Sequence, residues 1–199
     1  MNLAKEIMYG SANYSSSTGK HLLGGKMARG MIYVYTGEGE GKTTNALGLA
    51  LRAVGHGYRA IIIQFMKGRK YIGEYRIKDR LAPEYEIHQF GREEFIDFKN
   101  PIPLDYELAA KGLEFAKNAL KRKPRLLILD EINLAAHFGI VKAEDILKLL
   151  EDIPEETTVV LTGRRAPREL IERADLVTEM KFVKHPFEKN VPARKGIEY

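Results

Sequence analysis

Apolar side chains in this chain gather in short unbroken runs, and the stretches between the runs carry apolar residues at helical spacing. Residues 31–35, residues 58–65 with their Ala60-Ile61-Ile62-Ile63 centre, and residues 126–129 read as strands covered on both faces, as inner strands of a parallel sheet are. Residues 85–90, the β-branched run 157–161 and residues 176–180 add three more strands. Segments 43–54, 74–81, 104–120, 143–150 and 167–173 read as helices. The clearest is 104–120, where Leu108, Gly112, Phe115 and Leu120 fall near the helical period. Gly55-His56-Gly57 offers a helix stop, Pro124 a break, and Pro167 a helix start. Strands alternating with helices predict a mostly parallel sheet with helices on both faces. Residues 31–199 are expected to form one such α/β domain, ending in a tail at 181–199. Residues 1–30 contain a short helical stretch at 3–9 and an aperiodic polar run at 10–19, and read as an extension, flexible or laid over an active site.

The joint between the first strand and the first helix carries the candidate chemistry. Thr36-Gly37-Glu38-Gly39-Glu40-Gly41-Lys42-Thr43-Thr44 reads as a phosphate-binding loop: glycines let successive backbone N–H groups face one point, Lys42 reaches phosphate oxygens, and the Thr43 hydroxyl can hold Mg²⁺. The usual spacing puts a glycine where this chain has Thr36, so the loop is expected to present its amides along a different path. Glu38 and Glu40 add negative charge beside a polyanion, so their side chains are expected to turn to solvent or to a cation. The apolar run at 126–129 ends in Asp130-Glu131, a second nucleotide element in which one acid binds Mg²⁺, directly or through water, and the other orients it. Lys67, in Gln64-Phe65-Met66-Lys67-Gly68, and Arg164, in Thr162-Gly163-Arg164-Arg165, follow strand ends where the ligands of open parallel sheets bind. Both are candidate phosphate contacts. The long connection 91–103 holds Phe95 and Phe98 and has the length of a lid or binding loop, its aromatics either anchoring it or meeting ligand.

Composition narrows the classes. With no cysteine, a disulfide framework, a thiolate metal site and a cysteine nucleophile are excluded. No apolar run has membrane-spanning length and the N-terminus lacks a signal-peptide core, so a cytoplasmic protein without membrane contact is expected. The net charge of +5 suggests nucleic acid until it is divided along the chain. Residues 1–30 and 181–199 each carry an excess of three positive charges, leaving the body at −1, so no nucleic-acid partner is expected.

Taken in order, the phosphate loop, Gln64-Phe65-Met66-Lys67-Gly68, Leu129-Asp130-Glu131-Ile132-Asn133, Leu161-Thr162-Gly163-Arg164, Val183-Lys184-His185-Pro186-Phe187 and Lys195-Gly196-Ile197-Glu198-Tyr199 resemble the ATP:corrinoid adenosyltransferases of the CobA/CobO type, from about Arg29 to the last residue. The resemblance implies a phosphate-loop, RecA-like fold and transfer of the 5′-deoxyadenosyl group of ATP to the cobalt(I) of cobalamin, cobinamide or cobyrinic acid diamide, with release of triphosphate. It implies ATP and a reduced corrinoid as substrates, Mg²⁺ as the ion, a homodimer, and a reductase supplying the cobalt(I) state. On this reading Lys42 and Glu131 are catalytic; Gly37 through Thr44, Lys67 and Arg164 bind nucleotide; Thr43, Asp130 and Glu131 hold the metal; and Phe95 and Asn133 contact the corrinoid. The family also holds ATP in the loop opposite to the sense of common ATPases, which fits Thr36.

The chain departs from its relatives in places. They commonly carry Asn and Lys where it has Glu38 and Glu40, and a Gly-Phe-Thr-Trp element where it has Glu94-Phe95-Ile96-Asp97. Phe95 can keep part of that aromatic role; Asp97 cannot stack. His185-Pro186-Phe187 reads as a turn and Glu198-Tyr199 as an edge seal. The competing readings are a phosphoryl-transfer ATPase or kinase and a RecA-like motor dependent on nucleic acid.

Overall fold

In the computed structural model, which describes residues 29–199, a six-stranded sheet forms the spine: β1 (Met31–Thr36), β2 (Ala60–Phe65), β3 (Tyr85–Phe90), β4 (Leu126–Asp130), β5 (Thr158–Thr162) and β6 (Leu176–Glu179). Every pairing among them is parallel, in the spatial order β3-β2-β4-β5-β1-β6. The expected helical stretch at 3–9 lies outside the described residues.

The period-two alternation of each strand divides the core into two layers. Ile32, Val34, Ile61, Ile63, Leu127, Leu129, Val159 and Leu161 face one side. There they meet α4 (Pro103–Lys121), α5 (Ile132–His137), α6 (Ala143–Leu149) and α7 (Arg168–Arg173). Ala60, Ile62, Leu126, Ile128 and Val160 face the other side, against α1 (Lys42–Gly55), α2 (Gly73–Arg76) and α3 (Lys78–Leu81). β2 is buried at every position, as its apolar run requires.

The sequence expectation of a single helix over 74–81 is corrected. The chain makes two one-turn pieces hinged at Ile77, which packs into the core between them. Helix α5 has no counterpart in the periodicity, because its six residues are too few to display one. Asp105 buries its carboxylate at the start of α4, accepting from the Ile102 amide at 3.0 Å and from Arg92 at 2.8 Å. That bond fixes where the 91–102 connection ends.

The topology gathers the chemistry. β1 and β2 lie on opposite sides of β5 and β4, so α1 must cross above both in joining them. The start of α1 thereby comes to rest over the carboxyl end of β4, beside those of β2 and β5. In an open parallel sheet this is where ligands bind.

Candidate active site

Thr36 ends β1, and its hydroxyl accepts from the Ala166 amide at 3.1 Å. A glycine here would lose that tie. The Met180 amide donates to the Thr36 carbonyl at 2.8 Å, and the Gly39 amide donates to the Met180 carbonyl at 2.7 Å, so the loop is stitched to the chain beyond β6. This corrects the expectation that all three glycines turn their amides to phosphate: the Gly39 N–H is already used, and neither Gly37, Glu38 nor Gly39 borders the cavity. Close approach is the reason for glycine at 37 and 39. A Cβ on Gly37 would stand 2.4 Å from the Met180 carbonyl oxygen, and one on Gly39 2.6 Å from that of Lys181. Gly39→Ala is therefore expected to push the tail off the loop, lowering stability by about 1–3 kcal/mol. Thermal unfolding and ATP titration should fall together in that variant.

Gly41, with φ of 101°, turns the chain into α1, whose first amides have no side-chain cap and border the cavity through Lys42, Thr43 and Thr44. Lys42 is buried and its ammonium donates to the Gly39 carbonyl. Burial, with the charge of Arg164 second, pulls its pKa below the ordinary lysine value. A cation disfavoured by its surroundings is poised to gain from an arriving anion.

Asp130, at the end of β4, is 1% exposed and accepts four hydrogen bonds. Thr43 Oγ1 donates at 2.7 Å, Thr162 Oγ1 at 2.6 Å, Gln64 Nε2 at 3.0 Å and Lys67 Nζ at 2.7 Å. Burial alone would lift this carboxyl; the charge and hydrogen bond of Lys67, with the two threonine hydroxyls, outweigh it and hold the pKa below the usual carboxylate value. Glu131 differs. Its backbone is left-handed, φ 64°, held by the bond from its amide to Thr162 Oγ1 at 3.0 Å, and its side chain borders the cavity. Burial raises its pKa above the ordinary value. Thr43 Oγ1, Asp130 Oδ2 and Glu131 Oε1 lie 3.5, 2.7 and 3.8 Å from the Lys67 ammonium, a convergent all-oxygen set of the kind that suits Mg²⁺.

The cavity beyond these groups has a volume of about 530 Å³. Lys42, Thr43, Thr44, Lys67, Glu131 and Arg164 form its polar end, and Phe65, Met66, Phe95, Ile96, Phe98 and Leu134 its apolar wall. Phe95 is 81% exposed, with the Arg69 guanidinium 3.7 Å from its ring centroid, while Phe98 stacks on Phe138. The 91–102 connection thus brings one open and one anchored aromatic to the site.

Two expectations are corrected here. Asn133 is fully buried, away from the cavity, with its Nδ2 turned to the carbonyls of Tyr35, Leu161 and Gly163; it braces β1 and β5 and leaves no surface for a corrinoid. The C-terminal segment does more than seal an edge, since Ile197 and Glu198 border the cavity. Tyr199 meets Tyr71 edge-on, and Arg194 clasps Glu198 at 2.8 Å. The turn expected at His185 is present, as the start of a short 3-10 helix (Pro186–Lys189). Of the two loop acids only Glu38 meets cations, 3.8 Å from Arg164 and 3.7 Å from Arg165; Glu40 borders the cavity and lies 2.5 Å from the His185 ring. Sequence reasoning missed Gln64 and Thr162 as supports of Asp130. An amide inside the apolar run of β2 was the available signal for the first.

Residues 28–199 match the family described as ATP:corrinoid adenosyltransferase BtuR/CobO/CobP. A corrinoid adenosyltransferase of Sinorhizobium sp is 36% identical over 174 residues, covering 86% of this chain and 81% of that protein. The Escherichia coli K12 corrinoid adenosyltransferase is 34% identical over 172 residues, and corrinoid adenosyltransferase CobA of Salmonella typhimurium 34% over 173; each alignment covers 86% of both chains. Among solved structures, the KaiC-like protein PH0186 of Pyrococcus horikoshii OT3 superposes with a TM-score of 0.50 at 18% identity, covering 75% of this chain and 72% of that one, a likeness of fold. Among the described residues no helix is long and apolar enough to cross a membrane.

Proposed function

The chain belongs to the ATP:corrinoid adenosyltransferase family, whose reaction moves the adenosyl group of ATP to the cobalt of a corrinoid, and from that premise we propose how its cavity performs the transfer. The observation that carries the reading is one cavity whose amide-lined end gathers Lys42, Lys67 and Arg164 beside the acids Glu40 and Glu131, and whose wall is apolar and aromatic. The first suits a triphosphate; the second suits a large, flat, mostly apolar macrocycle. In the transfer the cobalt(I) electron pair forms the bond to the ribose C5′, the C5′–oxygen bond breaks, and its electrons leave with the triphosphate.

No proton moves, so the protein's work is alignment and charge dispersal. Lys42 and the first amides of α1 take charge developing on the leaving oxygens, and Arg164 closes the rim. Releasing Arg164 from Glu38, 3.8 Å away, is the cost of that contact. Phe95 offers an open face to the corrinoid. Thr43 and Glu131 would hold Mg²⁺, with Asp130 orienting Thr43 from behind; the ion would add positive charge on the triphosphate. Thr43 and Thr162 both donate to Asp130 Oδ1 and Gln64 donates to Oδ2, which favours that outer place. The same proposal includes a cytoplasmic homodimer supplied by a reductase, since cobalt(I) must be generated before it can attack.

Incubation with ATP, Mg²⁺ and anaerobic cob(I)alamin is expected to yield adenosylcobalamin and intact triphosphate in equal amounts, read by phosphorus NMR and the corrinoid spectrum. ADP and orthophosphate without adenosylated product would mean a phosphoryl-transfer enzyme instead. Hydrolysis that appears only with DNA or RNA would mean a motor.

A further inference from the structure

The oxygens best suited to a divalent cation already surround one positive charge. Lys67 follows β2 and extends its ammonium to Asp130 Oδ2 at 2.7 Å, Thr43 Oγ1 at 3.5 Å and Glu131 Oε1 at 3.8 Å. Its backbone is steered there by Met66, a non-glycine residue held at φ 58° by the bond from its amide to the Phe90 carbonyl at 2.9 Å. An L-residue adopts that conformation only where its surroundings impose it. The contact is therefore built in, and it contrasts with the expectation that Lys67 reaches straight for phosphate.

We propose that the Lys67 ammonium is the resident cation of the nucleotide-free site, and that a divalent ion is admitted there only together with a triphosphate that draws Lys67 away. The inference rests on the nucleotide-binding reading of the cavity and deepens it. Two cations cannot share these oxygens at such distances without strong mutual repulsion. Before nucleotide arrives, Lys67 keeps the buried Asp130 carboxylate compensated and makes the site unattractive to free metal. A triphosphate seated against Lys42 and the α1 amides gives the ammonium a new partner and brings oxygens of its own to the ion. Lys67 is on this account a positioning residue that orders events: metal enters as the metal–triphosphate complex, and an empty site with its acids exposed is avoided.

The test is Mn²⁺ binding, followed by loss of the free-ion EPR signal, to the full chain with neither ATP nor corrinoid. Lys67→Gln is expected to bind Mn²⁺ about ten- to a hundredfold more tightly than wild type, the range typical of groups that govern a metal site from its second sphere. Glu131→Gln added to that variant should abolish the gain, and Lys67→Arg should behave as wild type. Equal affinity in wild type and Lys67→Gln overturns the proposal. If Lys67→Gln does not fold, the wild-type background decides. Mn²⁺ binding without nucleotide that Glu131→Gln removes overturns it; binding that becomes sensitive to Glu131→Gln only once ATP is added supports it. None of these readouts involves turnover, so their failure leaves the transferase reading standing, and failure of the product assay leaves this one testable.

Discussion

Replacing Lys42 with alanine is expected to lower kcat for adenosyl transfer by about a hundred- to a thousandfold, the usual effect of deleting one preorganised group from a developing oxyanion. The thermal midpoint should hold or rise. The two halves of this expectation come from one observation: Lys42 is buried in the phosphate loop with Arg164 as a neighbouring cation, and its pKa is depressed. A lysine whose folded pKa lies below its unfolded value makes the folded state less stable while it is charged, and that burden lifts only as pH rises through the window between the two values. Alanine removes the burden at neutral pH while forfeiting one hydrogen bond to the Gly39 carbonyl. A purely structural lysine would show the reverse: lower stability with turnover retained. The measurements are steady-state adenosylcobalamin formation and thermal unfolding near pH 7. Near-wild-type kcat in a folded variant would remove Lys42 from the mechanism. A variant slow only because KM has risen would assign Lys42 to ground-state binding.

Legible and hidden features of this chain divide along a physical line. β3 follows from its own residues, and β2 and β4 from the apolar runs 60–63 and 126–129, which only a doubly covered strand can bury. The phosphate loop and Asp130-Glu131 were equally plain, because their chemistry lies in consecutive residues and in the kind of element on either side. Features decided by distant partners were hidden. The resemblance implies a corrinoid contact for Asn133. The left-handed turn at Glu131 instead sends the next residues into α5, with Ile132 and Asn133 buried beneath it. Glu38 looked misplaced beside a polyanion until the segment 164–165 supplied opposing charges, and Glu40 until the His185 ring came within 2.5 Å of it. The last residues of the chain carry no pattern that points to the cavity, yet they border it because Met180 and Lys181 pack on the loop glycines and set the path of the tail. The chain thus encloses the polar end of its site with segments more than a hundred residues apart, and only the near side could be read locally.

Asp130→Ala is expected to be the most destabilising single change at the site, by about 3–5 kcal/mol, because it leaves a half-buried cation and several buried donors without their acceptor. In a domain of this size that corresponds to a midpoint lowered by roughly 6–20 °C. The loss has several parts. Thr162 and Gln64, both fully buried, would each lose their bond to the carboxylate, and Thr43 would lose the contact that aims its hydroxyl. Lys67 would keep Thr43 Oγ1 at 3.5 Å and, as a charged partner, Glu131 at 3.8 Å, whose own pKa burial has raised. The pH dependence separates this cause from a simple packing defect. The folded pKa of Asp130 is depressed, so its contribution is complete above the unfolded value near about 3.9 and is lost as pH falls through the folded value. The gap between wild type and Asp130→Ala, measured by urea unfolding, should be constant from about pH 6 to pH 8 and narrow as the pH drops below about 4. A gap that persists unchanged into acid would assign the loss to the missing side-chain volume. A gap under about 1 kcal/mol at neutral pH, the size expected of an exposed ion pair, would show that the four hydrogen bonds do not act as a buried network.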